Sequence, residues 1–170
     1  GAVGPAPVIA LAPYNQGVEQ ALLQLRDHFD VLRARLARDT ADRVFEDLPV
    51  VRGPQGWRRD RVVTRSRRDI ENARRLADTS AMVHLERFVR DHMPMRAVFD
   101  KRHTFEFANL SPGSYLLCGL LRVESGRSGN LHPGEQVVWW SRIEMGRHGI
   151  LHFDLDQENA VHWSEIFPTT

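Results

Sequence analysis

The apolar stretch at residues 114–123, SYLLCGLLRV, constrains the fold more than any other part of the chain. Successive side chains of an extended strand point to opposite faces. One face here carries Tyr115, Leu117, Leu121 and Val123, and the other carries Leu116, Cys118 and Leu120. A strand with one face in water alternates between apolar and polar residues, so this strand must be covered on both faces. The sequence therefore predicts a layer of structure on each side of it.

Two long amphipathic helices are predicted to supply one of those layers. Apolar residues recur at spacings of three and four over residues 16–38, as on one face of a helix. Ser66 and Asp69 have the form of a capping box and predict the start of a second helix, which ends near Met93. A short helix is predicted at residues 39–49, in the connection between the two long helices. This connection is long enough for the two helices to pack antiparallel with their apolar faces together.

Short strands are predicted for the rest of the chain. An early strand at residues 7–13 is bounded by prolines, and from residue 95 the hydrophobic period changes to two. The candidate strands after that point are at residues 96–99, 104–107, 114–123, 136–145 and 150–155. Turn residues such as Ser111-Pro112-Gly113 separate them, and closely spaced short strands of this kind favour an antiparallel β-sandwich.

Residues 100–115, DKRHTFEFANLSPGSY, resemble the G-x-F-x-F-x-x-L-P-P-G-x-Y unit of carboxypeptidase regulatory-like domains. Trp139-Trp140 and the stretch GILHFDL at residues 149–155 are similar to the closing part of the same domains. The resemblance implies a transthyretin-like β-sandwich that serves as an accessory module in secreted and envelope proteins. The chain departs from the family at Arg102-His103, where the family has a glycine before the first phenylalanine, and in its helical insertion.

The predicted fold is therefore of the α+β class. A transthyretin-like antiparallel β-sandwich of about six or seven strands is formed by residues 7–13 and 95–163. A two-helix hairpin, at residues 14–94, is inserted after the first strand. Residues 1–170 are predicted to form a single domain, because their number lies within the usual range for one hydrophobic core.

Composition narrows the functional classes without choosing one. The net charge of +1 provides no global attraction to nucleic acid or to an anionic membrane. Cys118 is the single cysteine, which excludes an internal disulfide and multi-thiolate metal sites and predicts a small buried hydrophobe. No apolar run approaches the length of a transmembrane helix, and residues 1–7 lack the features of a signal peptide. We expect no cofactor and, from the resemblance, a bacterial protein that is periplasmic, envelope-associated or secreted.

The motifs of enzymes give no support to catalysis. Ser111, Ser114, Ser125 and Ser128 lie in predicted turns or at strand starts, outside any G-x-S-x-G context. The enzymes with a transthyretin-like fold, the hydroxyisourate hydrolases, end in a Tyr-Arg-Gly-Ser-like tail, whereas this chain ends in IFPTT. The protein is predicted to be a non-catalytic interaction or structural module.

An arginine-rich run at residues 58–75 is the predicted interaction surface, with eight arginines, three acidic residues and a local charge of +5. The predicted partner-binding residues are Trp57, Arg58, Arg61, Arg65, Arg67, Arg68, Arg75 and Trp140. Arginine and tryptophan are enriched at binding hot spots, and the adjacent Trp139 and Trp140 cannot both point inward. The favoured interpretation of the run is a solvated helix face or a patch for an acidic protein partner. Nucleic acid is a less favoured alternative because no aromatic other than Trp57 accompanies the run, and a homo-oligomer through the helical hairpin is a further option.

Histidines suggest a different kind of site as the alternative function. His152 and Asp154 share one face of a predicted strand, His148 is nearby, and His162 could join them from a neighbouring segment. These residue types bind zinc, but their spacing matches no established motif. An exposed histidine on a solvated strand face needs no metal to explain it, so a metal or small-ligand site is the less favoured hypothesis.

Overall fold

The computed structural model describes residues 8–41, 43–53, 56–64, 66–99, 105–122, 136–147, 155 and 158–168. At residues 43–53, 56–64, 98–99 and 122 it describes the backbone alone. The elements in chain order are β1 (Val8–Pro13), α1 (Gln16–Asp39), β2 (Arg43–Gly53), β3 (Gly56–Thr64), α2 (Arg67–His92), β4 (Met95–Arg96), β5 (Val98–Phe99), β6 (Phe105–Glu106), β7 (Gly113–Arg122), β8 (Gln136–Met145) and α3 (Trp163–Ile166).

The main sheet has four strands in the order β4-β1-β7-β8, and each neighbouring pair is antiparallel. Cys118 is the register partner of Ala10 on one side and of Trp140 on the other, so β7 lies in the interior of the sheet. Two further antiparallel pairs are formed by β2 with β3 and by β5 with β6. The α+β class is confirmed, while the transthyretin-like sandwich and its strand number stay predictions.

Both long helices begin at side-chain caps that the sequence specifies. The Asn15 side chain accepts a hydrogen bond from the backbone N–H of Val18 at 2.9 Å. Ser66 and Asp69 form the predicted capping box, in which each side chain accepts a hydrogen bond from the other residue's backbone N–H. The predicted ranges of the two helices agree with the structure to within two residues at each end.

The connection between the helices is a β-hairpin, so the short helix predicted at residues 39–49 is wrong. Strand β2 pairs with β3 from Arg43↔Thr64 to Gly53↔Gly56. The segment is rich in valine, whose branched side chain favours strands, and its two glycines lie where the chain reverses. The predicted helical insertion at residues 14–94 therefore contains a hairpin in addition to its two helices.

The two helices run antiparallel because both are joined to the same end of the sheet. Strand β1 leads into α1, and α2 leads into β4, which pairs with β1 at Leu11↔Met95. The start of α1 and the end of α2 therefore lie near each other. Their buried residues face a common core, as the amphipathic pattern predicts.

The helices cover one face of β7, as predicted. Leu116, Cys118 and Leu120 belong to the same buried cluster as Phe29 of α1 and Leu85 of α2. The sheet contributes small residues to this face from β1, which lets the helices approach the backbone closely.

The opposite face of β7 is covered by other residues. Tyr115 and Leu117 form a second cluster with Ile9, Leu11 and Ile143. The partly buried apolar residues packed against this cluster include Met95, Phe105, Phe107, Leu110, Met145 and Leu155. The expectation that β7 is buried on both faces is confirmed.

The turn that enters β7 has the geometry expected of its residues. Gly113 has a φ of 146°, in the region that favours glycine. The Tyr115 hydroxyl donates a hydrogen bond to the backbone carbonyl of Ser111 at 2.6 Å. The side chain that begins the apolar strand thus also holds the preceding turn.

Two substitutions in α1 test the predicted core. Leu25 is 4% exposed and Leu23 is 56% exposed on the same helix. We expect Leu25→Ala to lower the free energy of unfolding by about 2–5 kcal/mol, because it leaves a cavity in a packed core. Leu23→Ala, with the same change in side chain, should alter it by less than about 0.5 kcal/mol. Urea denaturation measures both, and equal losses would contradict the assignment of the core face.

Candidate functional site

The predicted partner-binding residues are divided between two elements. Trp57, Arg58 and Arg61 lie on β3, where the backbone alone is described, and Arg65 lies outside the described residues. Arg67, Arg68 and Arg75 lie in the first third of α2, and their side chains are exposed. Arg74 is exposed in the same stretch. We call these four residues of α2 the arginine surface.

The arginine surface contributes little to the stability of the helix. Arg67 and Arg68 occupy the first two positions of α2, where the helix dipole disfavours a positive charge. Arg67 lies 3.3 Å from Glu71, but their side chains are 94% and 56% exposed, and pairs of this kind are weak. These guanidinium groups are therefore placed against the helix dipole and left accessible to an external partner.

Neither tryptophan of the Trp139-Trp140 pair points freely into solvent. Trp139 is buried, and its ring packs closely over Gly119 of β7. A Cβ atom added at Gly119 would lie only 3.0 Å from this ring. Trp140 is partly buried on the helical face, with its ring centroid 5.9 Å from that of Phe88 and 6.2 Å from that of Phe167. The expectation that one of the two must face outward fails because both faces of the sheet are covered. Trp140 is accordingly left out of the interaction surface.

A polar cluster joins α2 to the C-terminal segment. His162 Nε2 lies 3.0 Å from Asp78 Oδ1, and the indole N–H of Trp163 donates a hydrogen bond to the same oxygen at 2.7 Å. His162 Nδ1 accepts a hydrogen bond from the backbone N–H of Ser164 at 3.3 Å and lies 2.6 Å from the Ser164 hydroxyl. Since Nδ1 accepts, the neutral ring carries its proton on Nε2 and donates it to Asp78. Asp78 and Trp163 thus hold the N-terminal end of α3 against α2.

The order of contacts, Ser164 to His162 to Asp78, resembles that of a nucleophile, a base and an orienting acid. A cleft of about 30 Å³ beside it has room for a water molecule. Asp78 and His162 line this cleft, but Ser164 does not. His162 also has a local structural role, because it is the N-cap of α3. The cluster therefore has a structural explanation. His162 caps α3, and the hydrogen bonds of His162 and Trp163 to Asp78, which we call the tether, hold α3 against α2.

The C-terminal segment is also held by α1. The Arg33 guanidinium donates hydrogen bonds to the backbone carbonyls of Ser164 and Phe167. The ring of Phe29 packs edge-on against Trp163 and Phe167, with centroid distances of 5.4 and 5.7 Å. Contacts from α1 and α2 therefore hold the C-terminal segment against the core that the helices form with the sheet.

The environment of Asp78 shifts its titration. Partial burial on its own would raise the pKa of this carboxyl, but the hydrogen bonds from His162 and Trp163 and the charge of His162 outweigh that effect. The pKa of Asp78 is therefore held below its ordinary value. Ionised Asp78 is the form that the tether stabilises.

The proposed metal ligands are not brought together in the part of the chain that the structure describes. His148, His152 and Asp154 lie outside the described residues. His162 is described, and its two ring nitrogens contact Asp78 and Ser164. Within the described ranges, no group of three or more histidine, cysteine, aspartate or glutamate side chains could hold a metal ion.

Other reactive side chains have structural surroundings. Cys118 is fully buried, and burial raises the pKa of its thiol to about 12, so it is the small hydrophobe that the sequence predicts. His28 and His84 stack across the two helices with their ring centroids 4.4 Å apart. Burial, with the charges of His28 and Arg87, lowers the pKa of His84.

Comparison with protein-family models, curated proteins and solved structures finds no match to this chain. The resemblance to carboxypeptidase regulatory-like domains thus stays a prediction. Of the helices that the structure describes, none combines the length and the apolar character needed to cross a bilayer.

The tether predicts a specific pH dependence of stability. Because the pKa of Asp78 is lowered in the folded protein, its contribution is present above the ordinary carboxyl pKa and is lost as the pH falls through the folded value. We expect Asp78→Asn to lower the melting temperature at pH 7, and we expect its difference from the wild type to shrink in acid. Asp27→Asn, which removes an exposed carboxylate of α1, is the control. Parallel pH profiles for the two variants would contradict the role given to Asp78.

Proposed function

We propose that this protein is a non-catalytic interaction module that binds an acidic protein surface through the arginine surface of α2. The observation that carries this proposal is the placement of four exposed arginines in the first nine residues of α2. Arg67 and Arg68 lie in the first turn, where cations are unfavourable for folding, so their presence is better explained by binding than by stability.

The remainder of the fold supplies a rigid base for that surface. The buried side of α2 packs on α1 and on the four-stranded sheet, which fixes the position of the helix. In the proposed architecture this sheet belongs to a transthyretin-like β-sandwich of about six or seven strands, with the helical segment as its insertion. By the resemblance, the module would belong to a bacterial envelope or secreted system.

The chemistry of the surface favours a protein partner. Arginine binds carboxylates through two parallel hydrogen bonds, and it is enriched at binding hot spots. Leu76 follows Arg75 directly and is 72% exposed, so an apolar contact is available beside the charges. Nucleic-acid binding to single strands uses aromatic platforms, and residues 66–92 of α2 and its cap contain a single aromatic residue, Phe88, which is buried.

The proposal predicts that two charge reversals in one helix have different effects. Arg67→Glu with Arg68→Glu reverses the arginine surface. Arg87→Glu with Arg90→Glu makes the same change in charge about 30 Å further along α2, at a rise of 1.5 Å per residue. In affinity capture from nuclease-treated lysate of the source organism, the first variant should lose the partner and the second should retain it.

Melting temperatures separate lost binding from lost folding. Glutamate near the start of a helix is favourable and near its end is unfavourable, so the first variant should be at least as stable as the second. A partner recovered equally by both variants and the wild type would overturn the proposal. Recovery that disappears with nuclease would assign the arginine surface to nucleic acid, and a first variant that unfolds would show that the arginines are structural.

A further inference from the structure

A pair of histidines joins the two long helices at the rim of their shared core. The rings of His28 in α1 and His84 in α2 stack with their centroids 4.4 Å apart and an angle of 16° between their planes. His28 is exposed and His84 is partly buried. Phe29 and Leu85, which follow them in sequence, are fully buried in the core that the helices share with the sheet. The stack therefore lies where the contact between α1 and α2 meets solvent.

The charged groups that act on the stack are cationic or become so. Those that act on His84 are His28, across the helix contact, and Arg87, on its own helix. Residues three or four positions from each histidine are its neighbours on its own helix, and Arg87 is the only charged residue among them. Asp27 precedes His28, but successive residues of a helix point about 100° apart. Within the described ranges, neither ring has a hydrogen-bond or ion-pair partner.

His162 shows the opposite arrangement in the same chain. Its Nε2 lies 3.0 Å from a carboxylate oxygen of Asp78, so a proton added to this ring would face an opposite charge. A proton added to the stack would instead face a second imidazole and the charge of Arg87. Neutral aromatic rings stack favourably, whereas two imidazolium ions at this separation repel each other. The surroundings of the stack therefore oppose protonation, and those of His162 do not.

We propose that the stack of His28 and His84 is a pH-sensitive contact, which holds α1 against α2 while both rings are neutral and weakens when they are protonated. Histidine is the side chain whose charge ordinarily changes between about pH 5 and 8, so the contact responds close to neutral pH. Protonation of both rings places two like charges across the helix contact, and Arg87 adds to their repulsion. This inference goes beyond the proposed function and does not depend on it.

The titration of His84 gives the direction of the pH dependence. Burial, followed by the charges of His28 and Arg87, lowers the pKa of this ring. The folded protein therefore binds a proton at His84 less readily than the unfolded chain does. The stability contributed by the neutral ring is present above the ordinary imidazole pKa and is lost as the pH falls from there through the folded value. The tether depends on ionised Asp78, whose pKa is also lowered, and is lost only in stronger acid.

Weakening of this contact affects more than the two rings. Phe29 and Leu85 belong to the same buried cluster as Cys118 of β7, so separation of the helices would expose a core that the sheet shares. The arginine surface lies on α2, one of the two helices that the stack joins. Mild acid would therefore weaken the layer that positions this surface.

Replacement of both rings tests the contact in the full chain. His28→Gln with His84→Gln removes the two titrating groups and keeps polar side chains of similar size. When the pH is lowered from about 7.5 to about 5, the folding equilibrium constant of the wild type should fall roughly fivefold more than that of this variant, as expected for two unit charges about 4 Å apart in water. His92→Gln is the control, because His92 lies in the last turn of α2, where a positive charge is favourable, and its loss should not reduce the acid effect. Urea denaturation at each pH measures all three proteins.

Two substitutions at one position test the sign of the charge. His28→Glu places an acid opposite His84, so its stability relative to the wild type should rise as the pH falls over the same range. His28→Arg places a permanent cation there, and it should be less stable than the wild type at about pH 7.5, where the rings of the wild type are neutral. Equal acid losses in the wild type and the double glutamine variant, or the same pH profile for His28→Glu and His28→Arg, would overturn the proposal.

A titration of the ring itself decides the matter if the double variant does not fold. The pKa of His84, followed by NMR, should rise in His28→Gln, because one of the charges that lower it has been removed. An unchanged pKa of His84 would show that the two rings do not act on each other and would contradict the proposal.

Discussion

Burial of β7 on both faces is the constraint on which the rest of the structure depends. Its two sets of alternating apolar side chains belong to two different buried clusters. Each large aliphatic side chain gains about 1.5–3 kcal/mol when it leaves water, so exposing either face would forfeit much of the folding free energy. The chain meets this constraint with α1 and α2 on one side and with segments that include residues 105–110 on the other.

The helical pair is therefore part of the core, although in sequence it looks like an insertion. Phe29 and Leu85 are fully buried in the same cluster as Cys118 of the sheet. The C-terminal segment closes this core by contacting both helices, through Arg33 of α1 and Asp78 of α2. A helical layer fixed in this way can present its outward side as a stable surface. The arginine surface lies at the start of α2, and the same helix is buried against α1 and the sheet from Ala77 onward.

Local signals in the sequence predicted the local structure well. The alternation in β7 predicted two covering layers, and the capping box at Ser66 and Asp69 fixed the start of α2. The hairpin of β2 and β3 was missed because charged residues interrupt its valines and hide the period of two. The contact of Asp78 with His162 joins residues 84 positions apart, and no local pattern reports such a contact. Alternation places Trp139 and Trp140 on opposite faces of β8, but it does not report the long-range contact of Trp140 with Phe88 of α2.

We infer that the helical pair and the sheet form one cooperative core. Native-state hydrogen exchange in increasing urea measures the free energy of opening at each amide, and it compares α1 and α2 directly with β7. We expect the most protected amides of all three elements to open with the same free energy, equal to that of global unfolding. Helices that open at a much lower free energy, while β7 stays protected, would show instead that they are an appendage on an independently stable sheet.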